Sequence, residues 1–220
     1  MRKFLIPLLA LTLACATAPR PDPEAEWAEL SRDYRSLVAM RQSLPRPPAR
    51  MARREQIELL LANEEKTAAV AEPLLGRIRG YFERTGDPRA GKLLAVEYVR
   101  LGDAYMNVLA RYERAIELYR AALAADPSSD EVRKRIALAE SRRFVSMDAF
   151  ARIRDGMSER DVEAALGIPR EDWIKHVRQD RHLYSVWIYP RADDGAAAVY
   201  FDNGIVYHTN WNAAAPPPAP

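Results

Sequence analysis

One cysteine, three histidines and nine glycines in 220 residues each remove a class of function. A single cysteine, Cys15, excludes an intramolecular disulfide framework. A zinc site takes three or four converging ligands. His176, His182 and His208 have no cysteine near them, and a carboxylate such as Asp180 joins them only if the fold brings it there. They are expected as exposed or sheet-edge residues, with no metal and no cofactor. So few glycines leave no glycine-rich phosphate loop, and no nucleophile-elbow pattern marks Ser-His-Asp chemistry. Charge of one sign is also missing: 33 basic residues face 31 acidic ones, for a net +2. No basic run interleaved with aromatics occurs, so the footprint of a nucleic-acid binder is absent. No catalytic residue is assigned and no small-molecule ligand is expected.

What is present begins at the N-terminus. Arg2-Lys3 precedes an apolar run over residues 4–14, and Cys15 comes directly after it. Eleven residues fall short of the roughly 20 that span a bilayer. Leu13-Ala14-Cys15 resembles the end of a lipobox, with Thr12 where that pattern prefers leucine. The resemblance implies a lipoprotein signal peptide over residues 1–14 and lipidation of Cys15. Cleavage there would remove Arg2 and Lys3 and take the net charge to zero. The alternatives are an ordinary signal peptide with an incidental cysteine, or a buried N-terminal helix. A lone thiol in an oxidising compartment is a liability unless modified, and two or more acyl chains anchor stably where one is marginal. Ala16 after the cysteine resembles the outer-membrane sorting pattern of Gram-negative systems, which implies the periplasmic face of the outer membrane. Residues 15–23 then form the lipidated cysteine and a short, stiff, proline-rich tether.

Residues 24–143 are rich in Ala, Leu, Glu and Arg at helical period. The pattern predicts helices over residues 24–42, 51–71 and 72–84, with breaks at the prolines of 44–48 and at Thr85-Gly86-Asp87-Pro88. Leu101-Gly102-x-x-Tyr105, then Ala115-x-x-x-Tyr119-x-x-Ala122-x-x-x-x-Pro127, resembles the tetratricopeptide repeat signature. In it small residues let two antiparallel helices approach, aromatics fill the gap and the proline ends the second helix. Gly102 to Ala115 is one residue longer than that pattern, an insertion expected in the turn at Ala110-Arg111. Residues 60–88 match poorly and read as a degenerate repeat; a plain helical bundle is the alternative for the whole region. Ser128-x-x-Glu131 has capping-box spacing and opens a further helix, which caps the array or links it to the C-terminal third of the chain.

From residue 144 the pattern changes. Ser158 stands three residues before Asp161 in a second capping-box arrangement, and Met157 and Val162 occupy the stapling positions. Val162, Ala165 and Leu166 form an apolar stripe, Gly167 is placed for a left-handed cap and Pro169 stops the helix. Alternation over residues 182–189 puts Leu183, Ser185, Trp187 and Tyr189 on one face and Tyr184, Val186 and Ile188 on the other. Residues 197–201 and 205–209 read as strands around Asp202-Asn203-Gly204, a strong hairpin signal, and a weaker strand is expected over 173–177. Trp187 and Tyr189 read as packed sheet core in preference to a ligand face. The order Ile153-x-x-Gly156-Met157-Ser158, Val162, Leu166-Gly167-x-Pro169, Trp187-x-Tyr189, Val199-x-Phe201, Gly204-x-Val206 resembles the SmpA/OmlA family. That family includes a small lipoprotein subunit of the outer-membrane β-barrel assembly machinery. The resemblance implies a non-catalytic module that binds envelope proteins; residues 170–181 depart from it in length and charge.

The fold class expected is a mainly α, tetratricopeptide-like domain (24–143) plus a small α+β domain (144–211). In the latter, two short helices lie over a three- or four-stranded antiparallel sheet. The chain ends in an Ala/Pro tail (212–220), whose composition builds no core. The function expected is an outer-membrane-anchored protein–protein scaffold, in β-barrel assembly or envelope maintenance. A regulator of peptidoglycan synthesis is the alternative, and an envelope enzyme the third reading. Binding residues are expected at Tyr98, Tyr105 and Tyr112 on a concave repeat face. On the C-terminal module they are expected at the ridge Asp202, Asn203 and Gly204 and along residues 170–180.

Overall fold

The computed structural model describes residues 22–48 and 51–214. The expected signal peptide, Cys15, the tether up to residue 21 and the end of the tail (215–220) lie outside the described residues. Those described form seven α-helices and, after them, a four-stranded antiparallel sheet. No helix among them is long and apolar enough to cross a membrane.

Helix α1 (Pro23–Gln42) starts where the Asp22 carboxylate accepts from the Glu24 amide at 3.1 Å, with proline at the first helical position. It buries Leu30 and Leu37 against α2 (Arg53–Thr85). The expected division at residues 71–72 is absent: α2 is one 33-residue helix with Pro73 inside it. Its buried stripe Thr67, Ala71, Leu74, Ile78 and Tyr81 passes the proline without changing phase, while Pro73 itself faces solvent. Packing on the buried side holds the helix through a residue that lacks an amide donor. With no turn before Thr85, residues 60–88 do not form the helical hairpin of a degenerate repeat. Gly86, at φ +66°, ends the helix and its amide donates to the Phe82 carbonyl at 2.8 Å.

Helices α3 (Pro88–Asn107) and α4 (Tyr112–Ala125) form the tightest helical pair. A Cβ on Gly102 would lie 2.5 Å from the Tyr119 ring, so only glycine admits that ring, and Ala115, Tyr119 and Ala122 are buried around it. The two helices are joined by a turn over residues 108–111, where Ala110 takes φ +52°. Helix α5 (Asp130–Arg143) is capped by Ser129, whose hydroxyl accepts from the Val132 amide at 3.4 Å. Ser128, the cap expected from spacing, donates instead to Asp126. Arg135 reaches from α5 to Asp103 on α3 at 3.0 Å.

The C-terminal module opens with α6 (Met147–Phe150) and α7 (Glu159–Leu166), the latter with both arms of its capping box made between Ser158 and Asp161. Gly167 has φ +82° and ψ 178°, an extended conformation at positive φ, not the left-handed cap expected. Ala165 is exposed, so two turns bury only Val162 and Leu166. A 3-10 turn (Glu171–Trp173) leads into β1 (Ile174–Gln179), β2 (His182–Pro190), β3 (Ala196–Asp202) and β4 (Ile205–Ala213), paired in that order. The 170–180 segment, expected as a loop, is therefore mostly an edge strand. Asn203 (φ +48°) and Gly204 (φ +81°) make the β3–β4 turn. β4 outruns the expected boundary, since Ala213 pairs with Ala196. One sheet face, with Trp187, Tyr189, Val199, Phe201 and Val206, closes on Phe150, Ile153, Val162 and Leu166.

Candidate functional site

The structure does not assemble the expected tyrosine face. Tyr98 and Tyr105 are half-buried and pack on the helical cores. Tyr112 donates its hydroxyl to the Ile168 carbonyl at 2.8 Å, inside the molecule. Tyr98 bridges the core of α1 to α3 and that of α3 to α5, Tyr105 packs on the latter, and Tyr112 joins it to the segment after α7. The Asp202-Asn203-Gly204 ridge is engaged as well. Asp202 meets His182 at 2.8 Å, Asn203 accepts from the Leu183 amide at 3.0 Å, and the Gly204 carbonyl accepts from the Glu159 amide at 3.1 Å.

Tyr112 belongs to a clasp that joins the helices to the sheet module. Arg53, at the start of α2, donates to the carbonyls of Val108 and Pro169. Tyr189, buried on β2, donates to the Gly167 carbonyl at 3.2 Å, and the Val145 amide donates to the Pro190 carbonyl at 2.9 Å. Burial pushes the Tyr189 phenol well above its ordinary range and raises Tyr112 too, so both remain hydroxyl donors. Desolvation lowers the Arg53 guanidinium from its usual value. A Cβ on Gly167 would lie 2.9 Å from the Tyr112 hydroxyl, so the glycine serves the clasp as well as the turn.

A surface with no counterpart among the sequence-based expectations lies on the outer sheet face. Rings of His182, Tyr184, Tyr207, Tyr200 and His208 run in series with centroids 5.7, 6.1, 6.3 and 5.2 Å apart. Val177, opposite Tyr184, and Ile205, opposite Asp202, extend this patch, and Tyr207 is 49% exposed. Beside it Ile188, Ala196 and Ala198 are buried with Trp173 and Ala213, so half of this face is covered and half open. The signal was available: residues 184, 186 and 188 are as apolar as the face that forms the core, the mark of a strand needing cover on both sides.

Among the described residues no three His, Cys, Asp or Glu side chains gather as metal ligands would. His176 bonds Ser185 at 2.9 Å and His182 bonds Asp202, each in its own pair. The strongest buried electrostatics are structural. Glu97, 3% exposed, accepts from Tyr34 at 2.8 Å, from Arg41 at 2.8 Å and from Arg100 at 3.2 Å, tying α1 to α3. Burial pushes this carboxyl up, but the guanidiniums of Arg100 and Arg41, with the hydrogen bonds of Arg41 and Tyr34, hold it below its usual value. Comparison with protein-family models, curated proteins and solved structures finds no match.

Proposed function

We propose that the chain is a lipid-anchored envelope protein that acts as a non-catalytic scaffold for other envelope proteins, in β-barrel assembly or envelope maintenance. The single observation that carries the binding half is the open aromatic patch on the outer sheet face. Tyrosine brings a large apolar area, a polar tip and little rotamer entropy, which is why it is enriched at protein interfaces. An apolar patch left uncovered on a folded module marks an interaction site. Cys15 after its apolar run supports the anchoring half and puts that patch, on this proposal, near a membrane surface. Helices α3 to α5 then read as one tetratricopeptide-like pair with a capping helix, and residues 144–213 as an SmpA/OmlA-like module.

The test is crosslinking in intact envelopes, comparing the wild-type chain with Tyr207→Asp and Cys15→Ser. A charged residue at the patch centre should cost about 2 kcal/mol of partner binding and remove the crosslinked β-barrel protein or assembly component. Cys15→Ser should release the chain from the outer-membrane fraction. Recovery of no such partner by the wild type, with retention on purified sacculi instead, would replace this reading with that of a peptidoglycan-synthesis regulator.

A further inference from the structure

A half-enclosed groove of about 240 Å³ opens at the junction of the two modules, walled by the start of α4, the end of α5, the segment after α7 and the end of β2. Its apolar lining comes from Tyr112, Phe144, Val145, Trp173 and Pro190. Its rim is cationic: Arg111, Arg114, Arg142, Arg143 and Arg170 face it against one carboxylate, Glu113. Two of these guanidiniums are held in place by aromatic rings of the same groove, Arg143 over Phe144 at 4.7 Å and Arg170 over Trp173 at 5.3 Å.

Most of these arginines are only loosely neutralised. Arg143 pairs with Glu113 at 2.7 Å and Arg114 with Glu117 at 2.6 Å, all with side chains 45% or more exposed. Asp172 pairs with Arg170 at 2.5 Å and lies 3.7 Å from Arg111. Arg142 makes no ion pair among the described residues, although its methylenes pack on Gly167. The exposed Arg143–Glu113 and Arg114–Glu117 pairs are worth about 0–1 kcal/mol and exchange readily for a better-placed carboxylate, whereas Asp172 holds Arg170 bidentately. At the same wall α4 begins without a side-chain cap on its first amides, which adds partial positive charge.

We propose that this groove takes an acidic segment of a partner protein, with one large apolar side chain seated in the pocket and flanking carboxylates on the arginine rim. The volume lies below the roughly 300 Å³ at which small-molecule pockets begin, so it suits one side chain and not a cofactor. Arginine forks match carboxylates bidentately, and the lining would have no complement in a bare inorganic anion. A bilayer is the poorer fit, because the site is a recess between modules and not a protruding face. The proposal rests on the scaffold reading and names the chemistry of a second contact. Since both modules form the walls, an occupant would bridge them.

The experiment uses the full-length chain and a capped, fluorescently labelled hexapeptide of alternating glutamate and phenylalanine, read by anisotropy. A peptide with lysine for glutamate and vesicles of phosphatidylglycerol are the comparisons. The acidic peptide should bind at least about tenfold tighter than the lysine peptide, and weaken as salt rises. Arg143→Ala, at a side chain 45% exposed, and Arg142→Met, which keeps an apolar stem against Gly167, should each weaken it about tenfold while leaving the melting temperature in place. Equal binding of the two peptides, or arginine variants with unchanged affinity, would overturn the proposal. So would vesicle binding that depends on the same arginines, which would make the groove a lipid site. If the peptide fails while Tyr207→Asp still removes the envelope crosslink, the groove falls and the scaffold reading stands.

Discussion

Glu97 receives three donors, from Tyr34, Arg41 and Arg100, in a position nearly closed to water. Arg100 passes the link on to Glu64 at 2.5 Å, so α1, α2 and α3 meet at one charge cluster. Such a cluster adds little net stability over an apolar replacement, but removing one member strands the others. Glu97→Gln keeps the shape and leaves Arg41, 15% exposed, without its counter-charge. The expected loss is about 3 kcal/mol, or a melting temperature lower by roughly 6–12 °C, measured by thermal unfolding at neutral pH. The wild type should show the same weakness in acid. A carboxyl held below its ordinary value when folded takes up its proton more readily when unfolded, so its contribution is complete above about pH 5 and fades as pH falls through the carboxylate range below that. Urea midpoints that stay flat from pH 5 to pH 2.5 would contradict this account.

Among the elements, α2 is where local rules misled most. A proline in a helical pattern usually ends or bends it, and Pro73 makes two helices the natural expectation. The structure keeps one because Ala71, Leu74 and Ile78 lie on the side away from the ring, against α1 and α3. Pro73→Ala restores the amide donor facing the Ala69 carbonyl and should stabilise the chain by about 1–3 kcal/mol; an unchanged urea midpoint would mean that α2 has relaxed around the ring. By contrast, the start of α7 and the β3–β4 turn were legible residue by residue, because the Ser158–Asp161 box and Asn203-Gly204 act over three or four positions, while Ala165 and Gly167 at the other end of α7 answer to tertiary packing. The sheet's outer patch was half legible: alternation placed Tyr184 correctly, but only cross-strand pairing brings Tyr200 and Tyr207 beside it. The arginine groove was illegible, since its walls come from positions as far apart as 111 and 190.

Taken whole, the molecule depends on the junction between its helices and its sheet. Gly167→Ala puts a Cβ 2.9 Å from the Tyr112 hydroxyl, in a backbone conformation with φ +82° and ψ 178° that side chains resist. Strain of that kind costs about 1–3 kcal/mol, and it falls where the two modules meet. The wild type is expected to lose helix signal and aromatic packing signal in one thermal transition. In Gly167→Ala the two signals, tracked by far- and near-ultraviolet circular dichroism, should separate, with the aromatic one lost first. Coincident loss in the variant would show that the modules are held together elsewhere.

The clasp has an asymmetry that bears on how this protein can drift. Arg53 donates to the peptide oxygen of residue 169 and Tyr112 to that of residue 168, which any amino acid would present. Side chains at those two acceptor positions are thus free to change as far as the clasp is concerned, while the two donors are not. In related chains Arg53 and Tyr112 should stay fixed without a matching partner residue, so a search for co-varying pairs would pass over the contact that joins the two halves.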